Sequence, residues 1–331
     1  MPVVVVTGAA GHVGANLVRV LLARGQSVRA LVHHNRRALE GLDIEEVPGD
    51  LEDPDSLRRA FTGAEIVYHA AAYISIESHE WRHLEAVNIL GARNVVDACL
   101  RCEVRRLVHF SSIEALVDKP LHAPVDESRP LVESRQYPPY ARSKASGEKE
   151  VRQGIARGLD AVILYPTAII GPHDYRLGFP NAGFLAIFEG RLWALIEGGF
   201  DWVDVRDVVR GALQAAAHAP AGGRYLLSGH WASLRELAEL AKEIRGVQVP
   251  RLVFPMWLAR IGAPFATALA HINGRRPLVT SAALKPLRAN PNISHARATR
   301  DLDYEPRSLK ETAIDTWGWF EQSGLLTRRP R

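Results

Sequence analysis

The stretch Val3-Val4-Val5-Val6-Thr7-Gly8-Ala9-Ala10-Gly11-His12-Val13-Gly14 decides the fold of this 331-residue chain. Its β-branched run, Val3 to Val6, is typical of a strand that is buried on both faces of a parallel sheet. The segment from Ala15 to Arg24 then shows the apolar spacing of a helix. A strand, a glycine-rich turn and a helix in this order predict a dinucleotide-binding unit, in which free N–H groups at the helix start hold a pyrophosphate.

Three glycines are expected to have separate roles in this turn. Gly8 allows the tight turn, Gly11 lets the backbone approach the pyrophosphate, and Gly14 lets the helix pack closely on the strand. A glycine pattern alone is a weak signal, and a plain tight turn is the alternative interpretation. The strand before the turn and the helix after it favour the nucleotide site.

The second informative stretch is Tyr137-Pro138-Pro139-Tyr140-Ala141-Arg142-Ser143-Lys144. On a helix, Tyr140 and Lys144 lie on the same face because they are four residues apart. The ammonium would lower the pKa of the phenol from about 10 towards neutrality. Such a tyrosine is suited to exchange a proton with a carbonyl or alcohol oxygen. The spacing alone is also compatible with chance.

With both motifs, the chain resembles the extended short-chain dehydrogenase/reductase family, within the NAD-dependent epimerase/dehydratase superfamily. In motif style it is most similar to dihydroflavonol-reductase-like and 3β-hydroxysteroid-dehydrogenase-like members. The resemblance extends over nearly the whole chain through Gly49-Asp50-Leu51, Tyr68-His69-Ala70-Ala71-Ala72, Val87 to Asn94, Val108-His109-Phe110-Ser111-Ser112, Tyr165 to Pro172, Asp204 to Val208 and Leu302 to Pro306.

The resemblance implies catalysis by a serine, a tyrosine and a lysine. Ser112 would donate to the substrate oxygen, Tyr140 would act as acid and base, and Lys144 would hold the nicotinamide ribose. The alternative is that Ser111 and Ser112 merely cap the next turn. The residues expected to bind the cofactor are Thr7, Gly8, Gly11, His12, Val13, Gly14, His33, Arg36, Arg37, Asp50, Leu51, Ala70, Ala71, Ala72, Tyr140, Lys144, Pro166 and Thr167.

The end of the second strand bears on the choice of cofactor. An acidic residue there accepts from the adenosine 2′-hydroxyl and repels a 2′-phosphate. This chain has Val32-His33-His34-Asn35-Arg36-Arg37 instead, with no acid until Glu40. Arg36 or Arg37 is suited to pair with a 2′-phosphate. The sequence therefore predicts NADP, with NAD as the alternative and two solvated arginines as the simpler interpretation.

Strand and helix patterns alternate up to about residue 165, which predicts an α/β fold with a Rossmann-type doubly wound parallel sheet. We expect a dinucleotide-binding domain over residues 1–170, to which residues 201–228 return. Residues 171–200 and 229–331 are expected to form a smaller, mainly helical substrate-binding lobe. The strands are expected at 28–32, 44–47, 66–69, 107–111, 161–165 and 223–227.

In open parallel sheets, ligands bind beyond the carboxyl ends of the strands. The expected pocket residues are Tyr73, Ser112, Ile113, Tyr137, Phe179, Phe184 and Phe200. Sugar-nucleotide members of the resembled family usually carry an arginine where this chain has Phe200, and losing that charge-assisted contact costs about 1.5–3 kcal/mol. The aromatic residues at 179, 184, 188, 193 and 202 favour an apolar pocket, unless they form the lobe core.

Three functions remain open on this basis. The favoured one is interconversion of a carbonyl and an alcohol on a fairly apolar small molecule. The alternative is nucleotide-sugar epimerisation or dehydration. A non-catalytic dinucleotide sensor is weaker, because the chain keeps Ser112, Tyr140 and Lys144 together.

Composition limits the partners and the compartment. The net charge of +4 is small and scattered, so no nucleic acid is expected despite a sequence pI of about 9.2. With no leader pattern and two cysteines, we expect a cytoplasmic protein. Cys99 and Cys102 lack a second pair, which favours structural thiols and no metal. Leu252 to Ile272 is apolar but broken by Pro255 and Pro264, which favours a buried helix pair or pocket lid over membrane contact.

The resemblance also implies a homodimer, in which helices at about 88–102 and 140–157 pair across a two-fold axis. The exposed faces are expected to include Ala92, Val95, Val96, Cys99, Ala145, Glu148, Val151 and Arg152. The alternative is that these residues cover the sheet within one subunit, since amphipathic helices bury one face in either case.

Overall fold

The computed structural model describes residues 3–75, 80–272 and 284–326. Its strands are β1 (Val3–Thr7), β2 (Ser27–Val32), β3 (Glu45–Pro48), β4 (Ala64–His69), β5 (Arg106–Phe110), β6 (Ala161–Pro166), β7 (Ala168–Ile170), β8 (Ala194–Ile196), β9 (Gly199–Asp204), β10 (Arg224–Leu227), β11 (His230–Ser233) and β12 (Leu252–Phe254).

The helices are α1 (His12–Ala23), α2 (Pro54–Phe61), α3 (Trp81–Leu84), α4 (Gly91–Arg101), α5 (Pro139–Ala156), α6 (Phe179–Phe188), α7 (Val205–His218), α8 (Leu234–Arg245), α9 (Met256–Ile272), α10 (Ala296–Leu302) and α11 (Leu309–Ser323). A π-helical turn at Glu85–Leu90 joins α3 to α4. Among the described residues, 3-10 turns lie at Arg37–Leu39, Ile113–Ala115 and Pro286–Arg288.

Seven strands form one parallel sheet in the order β10-β6-β5-β4-β1-β2-β3. This confirms the predicted Rossmann-type fold class, and the observed strands differ from the predicted ones by at most two residues at either end. The chain runs outward through β2 and β3, then returns to place β4 on the other side of β1. The carboxyl ends of β1 and β4 therefore form the switch point, where ligands of such sheets bind.

The sheet is covered on both faces, as its nearly continuous apolar strands require. One face packs on α1 and α7, with Leu17, Val18 and Val208 in its core. The other packs on α2, α4 and α5, with Phe61, Val95 and Val151 in its core. Residues 205–227 thus return to the sheet as α7 and β10, while the predicted domain limits stay a prediction.

Other described elements form the lobe, whereas α10 packs on α7 and β10, and α3 packs on α5. Strands β7, β9 and β11 make a three-stranded sheet, and β8 pairs with β12. Helices α6, α8 and α11 bury a shared aromatic core that includes Phe184, Phe188, Trp317 and Phe320. No helix among the described residues is long and apolar enough to cross a membrane.

The predicted dimer faces are wrong in detail. Ala92, Val95, Val96 and Cys99 of α4 are buried, and so are Ala145, Glu148 and Val151 of α5. These side chains are covered within one chain, and Arg152 forms an ion pair with Glu148, with 2.7 Å between Nη2 and Oε1. An amphipathic pattern shows that one face is buried but not against what.

Candidate active site

Ser112, Tyr140 and Lys144 line one cavity of about 420 Å³. Ser112 follows the carboxyl end of β5, and Tyr140 and Lys144 lie in the first two turns of α5. The structure therefore brings together the three residues that the sequence analysis assigned to catalysis.

Close packing fixes the position of α5. A Cβ on Gly147 would lie 2.1 Å from the carbonyl oxygen of Asn88, so only glycine allows the helix to approach the π-helical turn this closely. The Asn88 side chain also donates to Ser143 Oγ at 2.9 Å. These contacts hold the helix that carries Tyr140 and Lys144, and they lie beside a π-helical turn, an irregularity frequent at functional sites.

Lys144 is buried, with 5% of its surface exposed. Its Nζ donates to the Phe110 carbonyl at 2.6 Å, which ties α5 to the end of β5. Burial lowers the pKa of Lys144 to about 8, partly offset by the Glu148 carboxylate. Two ammonium protons remain for other acceptors, such as ribose hydroxyls.

The pKa of Tyr140 differs from the expectation. Burial raises the pKa of the phenol above its ordinary value, the Glu114 carboxylate raises it further, and a hydrogen bond with Ser112 lowers it. The Lys144 ammonium donates to Phe110 instead. The predicted depression of the Tyr140 pKa by Lys144 is therefore wrong for this arrangement of side chains.

Ser112 has a second role besides its contact with Tyr140. Its Oγ accepts from the Glu114 N–H at 3.2 Å and so caps the turn Ile113–Ala115. Ser111 donates its hydroxyl to Glu148 at 2.8 Å, away from the reacting pair. Ser112 therefore caps this turn, as the alternative interpretation expected, and its hydroxyl can still bind a phenol because it can donate while it accepts.

The glycine turn has the geometry that a dinucleotide needs. Gly8 has φ +69°, and a Cβ there would lie 2.6 Å from the Ala71 nitrogen. A Cβ on Gly14 would lie 2.1 Å from the Gly8 carbonyl, so α1 can start at His12 only with glycine at this position. The first turn of α1 has no side-chain cap and no acidic residue. Its free N–H groups fit a pyrophosphate.

Several side chains near this turn are engaged elsewhere. The Thr7 hydroxyl pairs with His69 Nδ1 at 2.8 Å, and His12 Nε2 lies 3.1 Å from the Pro172 carbonyl. Leu51 is buried in the core. Thr7 and Leu51 can therefore contact a cofactor mainly through backbone atoms, whereas the residues that line the cavity directly are Gly11, His12, Val13, Gly14, Ala70, Ala72, Pro166 and Thr167.

The residues predicted to bind the adenosine end of the cofactor lie outside the cavity lining, on exposed surface. His33 pairs with Asp50 at 3.1 Å and Arg36 with Glu46 at 3.3 Å. Arg37 lies 5.8 Å from the centre of the Tyr175 ring. Arg37 forms no ion pair within the described part of the chain, so its guanidinium remains available to a phosphate.

The expected substrate residues divide into two groups. Ile113, Tyr137, Phe179 and Phe200 line the cavity. Phe184 does not, because it is fully buried in the lobe core and stacks on Phe188 at 4.0 Å.

Tyr73 is also outside the lining, since its hydroxyl donates to Glu80 at 2.8 Å. Its neighbours Ile74 and Ser75 line the cavity instead. Of the other aromatics, Trp202 is in the lobe core and Trp193 is 72% exposed.

Sequence reasoning missed most charged groups of the cavity lining, which are Glu114, Asp118, Asp174, Arg176, Asp201 and Lys285. Burial raises the pKa of Glu114 to about 7, with Lys285 lowering it. Burial lowers the pKa of Lys285, whose ammonium lies 4.3 Å from the centre of the Tyr137 ring. The position of Glu114 two residues after Ser112 was a usable signal, but nothing in the sequence placed Lys285 here.

Metal chemistry has no visible site in the residues described. They contain no group of three or more His, Cys, Asp or Glu side chains arranged to hold an ion. Cys99 is buried and burial raises the pKa of its thiol, as suits a structural residue.

A parallel sheet with this glycine turn and a Ser-Tyr-Lys cavity defines a dinucleotide-dependent oxidoreductase of the extended short-chain type. Residues 4–228 match the model of the NAD dependent epimerase/dehydratase family. The chain belongs to that family, which binds NAD(P), and it is an oxidoreductase that acts on alcohol and carbonyl groups.

Individual relatives agree with this assignment. The chain is 35% identical over 325 residues to sterol demethylase protein B of Methylococcus capsulatus, covering 97% of this chain and 99% of that protein. It is 31% identical over 327 residues to a putative dihydroflavonol 4-reductase of Synechocystis, covering 97% and 95%. The crystal structure of gox2253 superposes with a TM-score of 0.85 at 31% identity, covering 98% and 99%.

Proposed function

We propose that the protein is an NADP-dependent enzyme that interconverts a carbonyl and an alcohol on a fairly apolar small molecule. The observation that carries the proposal is the wall facing Ser112 and Tyr140. There Phe179, Phe200 and Trp231 line the cavity. An apolar wall with a few convergent polar groups is typical of a site for a small apolar ligand.

Ser112, Tyr140 and Lys144 each have a separate role in this proposed reaction. The Ser112 hydroxyl donates to the substrate oxygen and orients it. In reduction the Tyr140 phenol gives its proton to that oxygen, and in oxidation the phenolate takes the proton back. Lys144, fixed on the Phe110 carbonyl, offers its remaining protons to the cofactor ribose. When bound, the nicotinamide supplies or accepts the hydride.

The preference for NADP rests on charge at the end of β2. His33, Arg36 and Arg37 are exposed there, and the acidic residues that pair with His33 and Arg36 lie on β3 and just after it. A 2′-phosphate would form an ion pair with Arg37 and would compete with Glu46 for the guanidinium of Arg36. Calorimetry with NADPH and NADH tests this preference, and tighter binding of NADH would overturn it.

Nucleotide-sugar conversion remains a second candidate for one reason. Arg176 and Lys285 line the cavity, and Arg176 is exposed without an ion pair in the described residues. Two cations in a cleft are suited to hold a diphosphate. Phe200 argues against it, because that position faces the cavity without a charge.

One panel separates the two candidates. Apolar ketones and UDP-sugars are offered to the purified chain, each with NADPH and with NADH. Turnover of ketones with NADPH supports the proposal, and UDP-sugar epimerisation or dehydration without ketone turnover refutes it.

We also propose a homodimer through the outer surfaces of α4 and α5, next to which Leu90 of the π-helical turn is 43% exposed. The buried residues that the sequence analysis had placed at this contact are excluded from it. Light scattering should give twice the chain mass at micromolar concentration. A mass near 36.5 kDa would contradict the proposal.

A further inference from the structure

The outward face of α9 is unusually apolar. Trp257 is 64% exposed, Ile261 60% and Phe265 75%, with Leu258 at 37%. At about 100° per residue, these four side chains fall within an arc of about 100°. We call them the α9 apolar face. Its exposed area is on the order of 500 Å², near the upper end for a patch on a monomer.

This face is distinct from the one that packs on the lobe. Met256, Ala259 and Ala263 are buried with Leu284 and Leu287. The expectation of a buried helix pair or lid was therefore right for one side of α9 and wrong for the other. The strand pair before the helix adds exposed apolar side chains, Trp193, Leu252 and Val253.

The chain segment that carries the face has charges of one sign. Residues 244–300 contain nine Lys and Arg and no Asp or Glu, although the whole chain has 41 basic and 37 acidic residues. Arg251, Arg260 and Arg288 are exposed and form no ion pair within the part of the chain that the structure describes. Arg260 flanks the apolar arc on α9, since it precedes Ile261 by one position.

We propose that the α9 apolar face docks on the surface of an anionic lipid bilayer. Exposed Trp, Phe and Ile beside unpaired arginines match the two contributions to interfacial binding, burial of apolar side chains at the headgroup boundary and attraction to anionic lipids. The helix would lie in the interface without crossing it. The proposal replaces the expectation from sequence that the chain contacts no membrane.

A second copy of the chain fits this face less well. In a two-fold contact the same surface meets itself, so the cationic surface that carries Arg251 and Arg260 would meet the same cationic surface of the second copy. Without acidic residues between 244 and 300 to offset them, such a contact carries like-charge repulsion. Phospholipid headgroups instead supply the missing negative charge.

The position of α9 connects the proposed docking face with the active-site cavity. Phe200 packs against the buried side of α9 and also lines the cavity. Lys285 and Pro286 line the cavity too, and they follow Leu284, which is buried against α9. One helix thus separates the cavity wall from the proposed bilayer contact. A route for apolar substrate from lipid to cavity rests on the proposed function, whereas docking itself does not.

Co-sedimentation with vesicles tests docking without any substrate. The full chain is mixed with vesicles of phosphatidylcholine alone, or of phosphatidylcholine and phosphatidylglycerol in equal parts. We expect binding to the anionic vesicles that weakens with salt, and much weaker binding to the neutral ones.

Three variants make the test specific. Trp257→Ser with Ile261→Ser should lower the partition coefficient at least about tenfold, because two large apolar side chains are lost. Arg251→Gln with Arg260→Gln should remove most of the preference for anionic vesicles. Ile314→Ser on α11 removes a side chain of similar exposure (46%) elsewhere and should bind like the unmodified chain.

The outcomes are decisive in each direction. Absence of binding by the unmodified chain, or unchanged binding by Trp257→Ser with Ile261→Ser, overturns the proposal. A different result would show that a second copy of the chain covers the face. In that case the unmodified chain would not bind vesicles, and only Trp257→Ser with Ile261→Ser would convert a dimer into a monomer, as measured by light scattering. Equal thermal melting of all variants ensures that the comparison concerns folded protein.

Discussion

The two walls of the cavity are held in different ways. On the sheet side, Ser112 and Lys144 are buried, and each contacts the backbone, through the Glu114 N–H and the Phe110 carbonyl. On the lobe side, Phe179 and Phe200 are only partly buried, and Trp231 is 41% exposed. The first wall is fixed by strand ends and hydrogen bonds, the second by side-chain packing.

This difference predicts separate roles for the two walls, catalysis for the sheet wall and ligand recognition for the lobe wall. Reacting groups must be placed to within about half an ångström, which rigid elements can achieve. Ligand recognition by apolar contact tolerates looser placement and can change with single side chains. We therefore expect mutations on the sheet wall to act on kcat and mutations on the lobe wall to act on KM.

The largest expected effect is on the sheet wall. Tyr140→Phe removes the proton donor and leaves the ring, so kcat should fall by about 10²–10⁴-fold, the usual contribution of general acid catalysis. Cofactor affinity, measured by calorimetry, should stay near that of the unmodified protein. A variant that keeps more than a few per cent of activity would show that another group carries the proton.

The lobe wall should respond differently, and α6 offers a matched pair of phenylalanines. Phe179→Ala should raise KM for an apolar ketone about five- to tenfold with little change in kcat, because it removes contact made equally in ground and transition states.

Phe184→Ala on the same helix should instead lower the free energy of unfolding by about 3–5 kcal/mol, since Phe184 is buried against Phe188. Chemical denaturation measures this loss. The expectation that the sheet wall acts on kcat and the lobe wall on KM would be wrong if Phe179→Ala lowered kcat as strongly as Tyr140→Phe does.

A smaller effect is expected at the adenosine end. Arg37→Ala should raise KM for NADPH about tenfold and leave KM for NADH unchanged, because only the phosphate uses the guanidinium. Arg36→Ala should have less effect, since Glu46 already pairs with Arg36. Equal effects of Arg37→Ala on both cofactors would exclude a 2′-phosphate contact.

The same contrast explains what the sequence could predict. The glycine turn, Ser112 and Tyr140-x-x-x-Lys144 meet at one cavity, and the sequence could indicate this because each motif is short and its geometry is set by one strand end or one helix. Phe184 and Tyr73 were misplaced because the rotation of α6 and the Glu80 partner of Tyr73 are tertiary features.

The predicted dimer faces failed for a related reason. Glu148 looked like an exposed helix residue, but Ser111 and Tyr165 both donate to it inside the chain. Lys285 reaches the cavity from more than 140 residues beyond Tyr140, and no local pattern indicates such a contact. Long-range polar contacts of this kind depend on the finished packing.

The smallest predicted effect tests whether the sheet wall is electrostatically isolated. The Glu114 carboxylate raises the pKa of Tyr140, and burial places the pKa of Glu114 itself at about 7. Above pH 7 Glu114 is ionised and makes the phenol harder to deprotonate. Glu114→Gln removes this charge, so the Tyr140 inflection in the pH profile of alcohol oxidation should move to lower pH by about half a unit.

Asp118→Asn provides the control for this shift. Asp118 also lines the cavity, but its carboxylate accepts from Tyr137 at 3.2 Å and is not among the groups that shift Tyr140. Its removal should leave the Tyr140 inflection in place while changing KM. If Glu114→Gln gives an unchanged profile, or if both variants shift it equally, the charge that acts on Tyr140 is not specific to Glu114. In the first case burial alone would raise the pKa of the phenol, and in the second case the carboxylates of the cavity would raise it together.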